Sequence, residues 1–125
     1  MVIETRAPGV VLLTIDGVDI GDLGDRPFAV LEAHLGDGGG VELFVDAAKA
    51  RGPSIEVSNE WALWLSRHRD RFLHLSMLTA SHFVQLTADF VRRYAELGDV
   101  MRIYTDPAVF RGALSNAEGN AQRRA

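Results

Sequence analysis

The residues of this 125-residue chain best able to do chemistry are its histidines, its spaced aspartates, two serines and a pair of tryptophans. His34, His68, His74 and His82 stand 34, 6 and 8 residues apart. A zinc site draws three or four ligands, commonly with an i, i+4 pair on a helix, and these intervals supply none. His74 shares an alternating face with Ser76, as a hydrolytic pair would require. No Gly-x-Ser-x-Gly elbow accompanies it, so surface or hydrogen-bonded histidines are the better reading. Asp16, Asp19, Asp22 and Asp25 recur every third residue. A calcium loop of the EF-hand type needs carboxylates every second residue, then Gly and Glu. Turn chemistry and one helix cap account for these aspartates better. The absence of cysteine excludes disulfides, thiolate metal sites and a cysteine nucleophile.

Ser58 stands where a helix begins. A phosphate there would gain from orphan N–H groups and the helix dipole, and would add roughly −1.5 to −2 charges. A plain cap contributing about 1 kcal/mol explains the residue type equally well. Ser54, a few residues earlier, allows the same two readings. Trp61, Trp64, Leu65 and His68 fall at i, i+3, i+4 and i+7, the core stripe of a helix. Two tryptophans in one turn could also line an apolar ligand pocket. Arg67, His68, Arg69 and Arg71 cluster at that helix's end, where cations meet the negative end of the dipole. Gly36, Gly38, Gly39 and Gly40 follow a helix and precede a strand. That is the wrong polarity for a phosphate cradle, so they read as a helix stop and linker.

The elements that position these residues alternate in type. Val2–Thr5 is a weak strand, Pro8-Gly9 a turn, and Val10–Ile15 a β-branched buried strand, together forming a hairpin. Val18–Ile20 extends the second strand past a kink. A helix should start near Asp25, with Pro27 in its first turn and Phe28, Leu31 and Leu35 on one face, and stop at Gly36. Val41–Val45 reads as a central strand ended by Asp46. A second helix follows Ser58. Phe72–Leu78 reads as a strand. A third helix starts near Ser81, with Phe83, Leu86, Phe90, Tyr94 and Leu97 toward the core and Gly98 closing it. Val100–Tyr104 is the last strand. Asp106-Pro107 opens a final helix whose Val109, Phe110, Ala113 and Leu114 face inward. The order β-β-α-β-α-β-α-β-α predicts an α/β fold: a single-layer mixed β-sheet flanked by helices, in one domain over residues 1–114. Residues 115–125 read as a polar, disordered C-terminal tail.

The composition fits such a domain. Hydrophobic residues are 47% and charged residues 24%, which is globular usage and argues against disorder. The net charge of −4 disfavours a nucleic-acid module, which needs a basic face. Residues 1–40 carry seven acids against Arg6 and Arg26, and the rest of the chain is close to neutral. No run approaches the roughly 20 apolar residues of a membrane helix, and no secretory leader is visible. A cytoplasmic protein is the expectation.

Three stretches carry a likeness. They are Val10–Ile15 followed by Asp16-Gly17 and a capped helix, Val41-Glu42-Leu43-Phe44-Val45-Asp46, and Met101 to Phe110 through Thr105-Asp106-Pro107. In order and spacing the chain resembles the STAS domain, specifically the stand-alone bacterial SpoIIAA-like branch. The resemblance implies a non-enzymatic regulatory or protein-binding module, with no cofactor. It also implies a partner such as a kinase-type anti-sigma factor. In the anti-sigma antagonists a serine at the start of the helix after the central strand is phosphorylated. Here no Asp-Ser-Ser-Gly-like run follows Asp46, and Ser58 alone matches by position.

The expected partner-binding edge therefore comprises Asp46, Ser54 and Ser58, with no catalytic or metal-binding residues. The alternative is a carrier or sensor of a small lipid-like ligand, held under the second and third helices by Trp61, Trp64, Phe83 and Phe90. A homodimer through a sheet edge or helix face is compatible with the sequence, which does not specify one. An enzyme ranks third, because no acid–base pair, nucleophile or metal set is convincingly placed.

Overall fold

Alternation at every second residue gives each apolar strand two faces, and both faces of this sheet are covered. The computed structural model describes residues 2–19, 29, 31–33, 40–53 and 55–124. In chain order these form β1 (Val2–Ala7), β2 (Val10–Asp19), β3 (Val41–Pro53), α1 (Ile55–His68), β4 (Phe72–Thr79), α2 (His82–Tyr94), β5 (Met101–Tyr104) and α3 (Pro107–Arg124). Leu31, Glu32 and Ala33 are helical, and Leu31 is buried in the core as its spacing predicts. Phe28, Leu35 and Gly36, expected on the same helix, lie outside the described residues, as does Ser54.

The strands lie side by side in chain order, β1-β2-β3-β4-β5. β1 pairs antiparallel with β2 through Pro8-Gly9, where Gly9 takes φ 76°. An L side chain in that left-handed region costs roughly 1–2 kcal/mol, so glycine suits the turn. The remaining pairs are parallel and need crossovers. Those crossovers put their helices on one face. Val11 and Leu13 of β2, Leu43 and Val45 of β3, Leu75 of β4 and Met101 of β5 pack there with Leu31, Trp64 and Leu65, and with Val84 and Val91 of α2. The opposite face presents Val10, Phe44 and Leu78 to α3. Phe110 anchors α3, with its ring 5.8 Å from Phe44 and 6.0 Å from Tyr104, both edge to face. The fold is thus a mixed five-stranded sheet flanked by helices among the described residues, as the element order predicts.

Two irregularities adjust the strands. Val41 pairs with Phe72 but Glu42 with His74, so Leu73 is an extra residue in β4. The bulge puts Phe72 on the same face as Leu75, although they differ in parity. β3 also does not stop at Asp46. The Asp46 carboxylate accepts the Ala48 N–H at 3.1 Å, and the β2–β3 register shifts there. Pairing then resumes from Asp16↔Lys49 to Asp19↔Pro53.

The helices depart from expectation in three ways. α1 begins at Ile55, so Ser58 is its fourth residue and not its cap. The large residues of α2 do not face the core. Val84, Ala88, Val91 and Ala95 are buried instead, while Phe83, Leu86, Phe90 and Tyr94 are exposed. Both stripes have helical spacing, and the small side chains of Ala88 and Ala95 let the helix lie close to the sheet. The residue that closes α2 is Glu96 at φ 55°, not Gly98. The Leu97 N–H reaches the Arg92 carbonyl at 3.0 Å and the Glu96 N–H reaches that of Arg93 at 3.3 Å, a Schellman closure with Leu97 buried beneath it. Gly98 also has a positive φ, in the short Gly98–Val100 turn that follows.

The expected disordered tail is the second half of α3. Asp106 caps the helix, its carboxylate accepting the Ala108 N–H at 2.9 Å. Phe110, Leu114, Ala117 and Ala121 then recur at i, i+4, i+7 and i+11 and are all buried. Val109 points outward, contrary to expectation. Arg6 of β1 reaches Glu118 at 3.0 Å and ties the helix to the sheet edge.

These placements predict stability changes readable by denaturant unfolding. Ala121→Glu should cost about 2 kcal/mol by burying an unpaired carboxylate. Gly112→Ala, where a Cβ meets nothing within 4 Å, should add about 1 kcal/mol by favouring the helix. Separately, Glu96→Gly should stabilise the protein by about 1 kcal/mol, because it relieves a left-handed residue and gives up only a surface ion pair.

Candidate functional site

The side chains singled out in the sequence divide between three places. The first is the C-terminal end of the parallel strands, where open α/β sheets hold ligands. Asp46 aligns there with Thr14 and Leu78. Its carboxylate is used locally, on Ala48. Nearby, the Thr79 hydroxyl is buried and bonds the Ser81 backbone, and Ser81 caps α2 by accepting the Val84 N–H at 3.4 Å. Ser58 lies in the first turn of α1, which follows β3.

The second place is the inner end of α1. Trp64 is buried and stacks on His68 with ring centroids 4.5 Å apart. It meets Trp61 and Phe72 edge to face at 6.1 and 5.9 Å. Its indole N–H donates to Oε1 of Glu32 at 3.0 Å. The same oxygen lies 3.5 Å from Nε2 of His68. Nδ1 of His68 is 2.9 Å from the Trp64 carbonyl, which only accepts, so the proton on that ring nitrogen is fixed. Glu32 and His68 thus hold the indole from two sides. Sequence spacing placed Trp64 and His68 on one helix face, but Glu32, 32 residues earlier, had no signal linking it to them.

The third place is the outer face of α2. Phe83, Leu86, Phe90 and Tyr94 are 58%, 56%, 39% and 54% exposed. The Phe90 and Tyr94 rings lie 5.9 Å apart, side by side along the helix. Together the four form an exposed apolar strip, and such strips on soluble monomers are often functional. Some of the polar groups around it are engaged within the helix. The Thr87 hydroxyl donates to the Phe83 carbonyl, and Asp89 holds both Arg92 and Arg93. Leu86 and Tyr94 were absent from the expected site because their spacing reads equally well as core.

The four aromatic residues expected to line one ligand pocket therefore divide. Trp64 turns inward, Trp61 is half-buried beside it, and Phe83 and Phe90 turn outward from α2. His74, which shares a strand face with Ser76, is paired with Glu42 at 3.0 Å, and Ser76 is buried. The basic cluster after α1 is partly engaged too. Arg69 reaches Glu96 at 2.6 Å, and that hydrogen bond raises the guanidinium pKa above its ordinary value. Among the described residues no three His, Asp or Glu side chains gather as a metal site requires, and no helix is long and apolar enough to cross a membrane.

The two environments predict opposite responses to truncation. Trp64→Ala should cost about 3–5 kcal/mol, whereas Phe83→Ser should change stability by less than about 0.5 kcal/mol. Urea midpoints of the two variants, measured side by side, check this.

No protein-family model matches the chain, and no curated protein matches it. A solved structure does. An uncharacterised protein of the DUF3478 family from Shewanella loihica PV-4, described as having a SpoIIAA-like fold, superposes with a TM-score of 0.67. The match covers 90% of each chain at 11% sequence identity, a level at which it speaks to architecture alone. Strand order, crossover helices and this superposition agree that the chain has a SpoIIAA-like fold.

Proposed function

We propose that this domain is a non-enzymatic regulatory module that works by binding another protein, and that the outer face of α2 is its binding surface. The observation that carries this reading is the row Phe83, Leu86, Phe90 and Tyr94, exposed on a helix whose other face is well packed. Aromatic anchors of this kind dominate binding energy at protein interfaces. The SpoIIAA-like fold supports the reading, since the likeness noted in the sequence is to domains that act through partners.

The finer form of this proposal is an anti-sigma-factor-antagonist-like partner switched at a serine. Ser58 in the first turn of α1 favours it, because a phosphate there is stabilised by the helix dipole. The lipid-carrier reading draws less support. Its four aromatic residues face different surroundings, and Trp64 is already stacked between protein groups.

Capture of partners by the full chain from its native cells tests the binding reading. Phe83→Glu combined with Tyr94→Glu should weaken capture at least about tenfold, while Val2→Glu, on the exposed first strand, should leave it unchanged. Equal capture by all three proteins would remove α2 as the binding surface. If the switch exists, Ser58→Asp should also release the partner while the thermal unfolding midpoint stays close to that of the wild type.

A further inference from the structure

We infer that the partner received by the outer face of α2 is a protein with an apolar groove whose rim carries carboxylates, and that Arg93 and His82 read that rim. The inference rests on the reading of α2 as a binding surface and names the chemistry of what binds there.

Shape sets the first requirement. Phe83, Leu86, Phe90 and Tyr94 stand at i, i+3, i+7 and i+11 of the helix His82–Tyr94. Anchors spaced in this way suit a helix laid into a groove, and the row runs three turns, roughly 16 Å. A helix is convex, and Phe83, Leu86 and Tyr94 are each more than half exposed on it. A concave apolar surface covers such side chains, whereas a flat one only grazes them.

Charge sets the second requirement. At about 100° per residue, Arg93 and His82 lie beside Leu86 along one side of the row. On the other side Thr87 adjoins Val91, which is buried against the sheet, so only the first side is a free flank. That flank is basic. One Asp89 carboxylate is shared by Arg92 and Arg93, so a positive charge is left over. The Arg93 side chain is 74% exposed, and His82 is exposed as well. An imidazole can donate to a carboxylate in either charge state. Glu96, just past the helix, does not cancel this charge, because Arg69 holds it at 2.6 Å.

The whole chain carries −4, so this flank is a basic strip on an acidic protein. An acidic rim is attracted to the strip and repelled elsewhere, which fixes the orientation of a partner. An anionic membrane fits less well. Helices that lie in a lipid surface have a polar face rich in Lys and Arg, and here a single surplus charge stands beside Asp89.

Variants that leave the apolar row intact test this, with the protein captured by the full chain purified and its affinity measured by calorimetry. Arg93→Glu should weaken binding roughly fivefold, and Asp89→Asn, which frees the second guanidinium, should tighten it roughly twofold. Raising salt from about 50 mM to about 500 mM should erase most of both effects. His82→Glu suits the first turn of a helix, so it serves if Arg93→Glu does not fold, and it should also weaken binding. Opposite signs for the Arg93 and Asp89 variants support the inference. Affinities that do not change, or signs that are reversed, overturn it. So does binding of the wild type to phosphatidylserine vesicles that Arg93→Glu abolishes. If Phe83→Glu with Tyr94→Glu loses the partner while the charge variants bind like the wild type, the acidic rim falls and the binding reading stands. A chain that captures nothing, or whose capture no variant alters, removes both.

Discussion

Every other element answers to the burial of β3 on both faces. Val41, Leu43 and Val45 point one way and Phe44 the other, and all four are buried. A strand of that kind cannot sit at a solvent-facing edge, so it needs neighbours on both sides and cover above and below. β2 and β4 supply the neighbours, both parallel to it. Parallel pairing then forces crossovers, and crossovers of one hand gather their helices on one side. The other side depends on α3, and within α3 on Phe110, whose ring sits edge-on to Phe44.

The same geometry explains why the candidate surface lies where it does. α2 carries two apolar stripes, one small and one large. Between α2 and the sheet the small stripe packs directly on the strands. Trp64 and Phe72 already fill much of the volume near the end of α1, and Met101 and Leu75 line the strands beneath. Turning the helix to bury Phe83 and Phe90 would require the layers to separate. The large residues therefore face solvent as a consequence of packing economy elsewhere, and a surface suited to a partner results.

The architecture was legible in the sequence because strand and helix periods differ and the runs were long enough to separate them. The hairpin at Pro8-Gly9, the strands from Val10, Val41 and Phe72, the last strand to within one residue of its start, and the caps at Ser81 and Asp106 could all be read directly. The helix faces were less legible. Phe90 looks more like core than Ala88 by hydrophobicity, and only the distance between helix and sheet reverses that. Ala117 and Ala121 were lost among Asn, Glu and Gly, although their spacing continues that of Phe110 and Leu114. Asp46 looked like a strand end because its side chain serves a turn-like bond, yet the bond makes a bulge and the strand continues. At the site, Ser58 could be placed near a helix start, but the contact of Glu32 with Trp64 joins segments that nothing local connects.

Because the strands are laid down in spatial order, the sheet can grow by adding each new strand to its outermost parallel edge as the chain leaves the ribosome. The helix that shields Phe44 and Leu78 comes after the last strand. During synthesis, then, a nearly complete sheet passes through an interval with one greasy side bare. That interval is when a chaperone would have most to hold, and it ends only when α3 has emerged and docked.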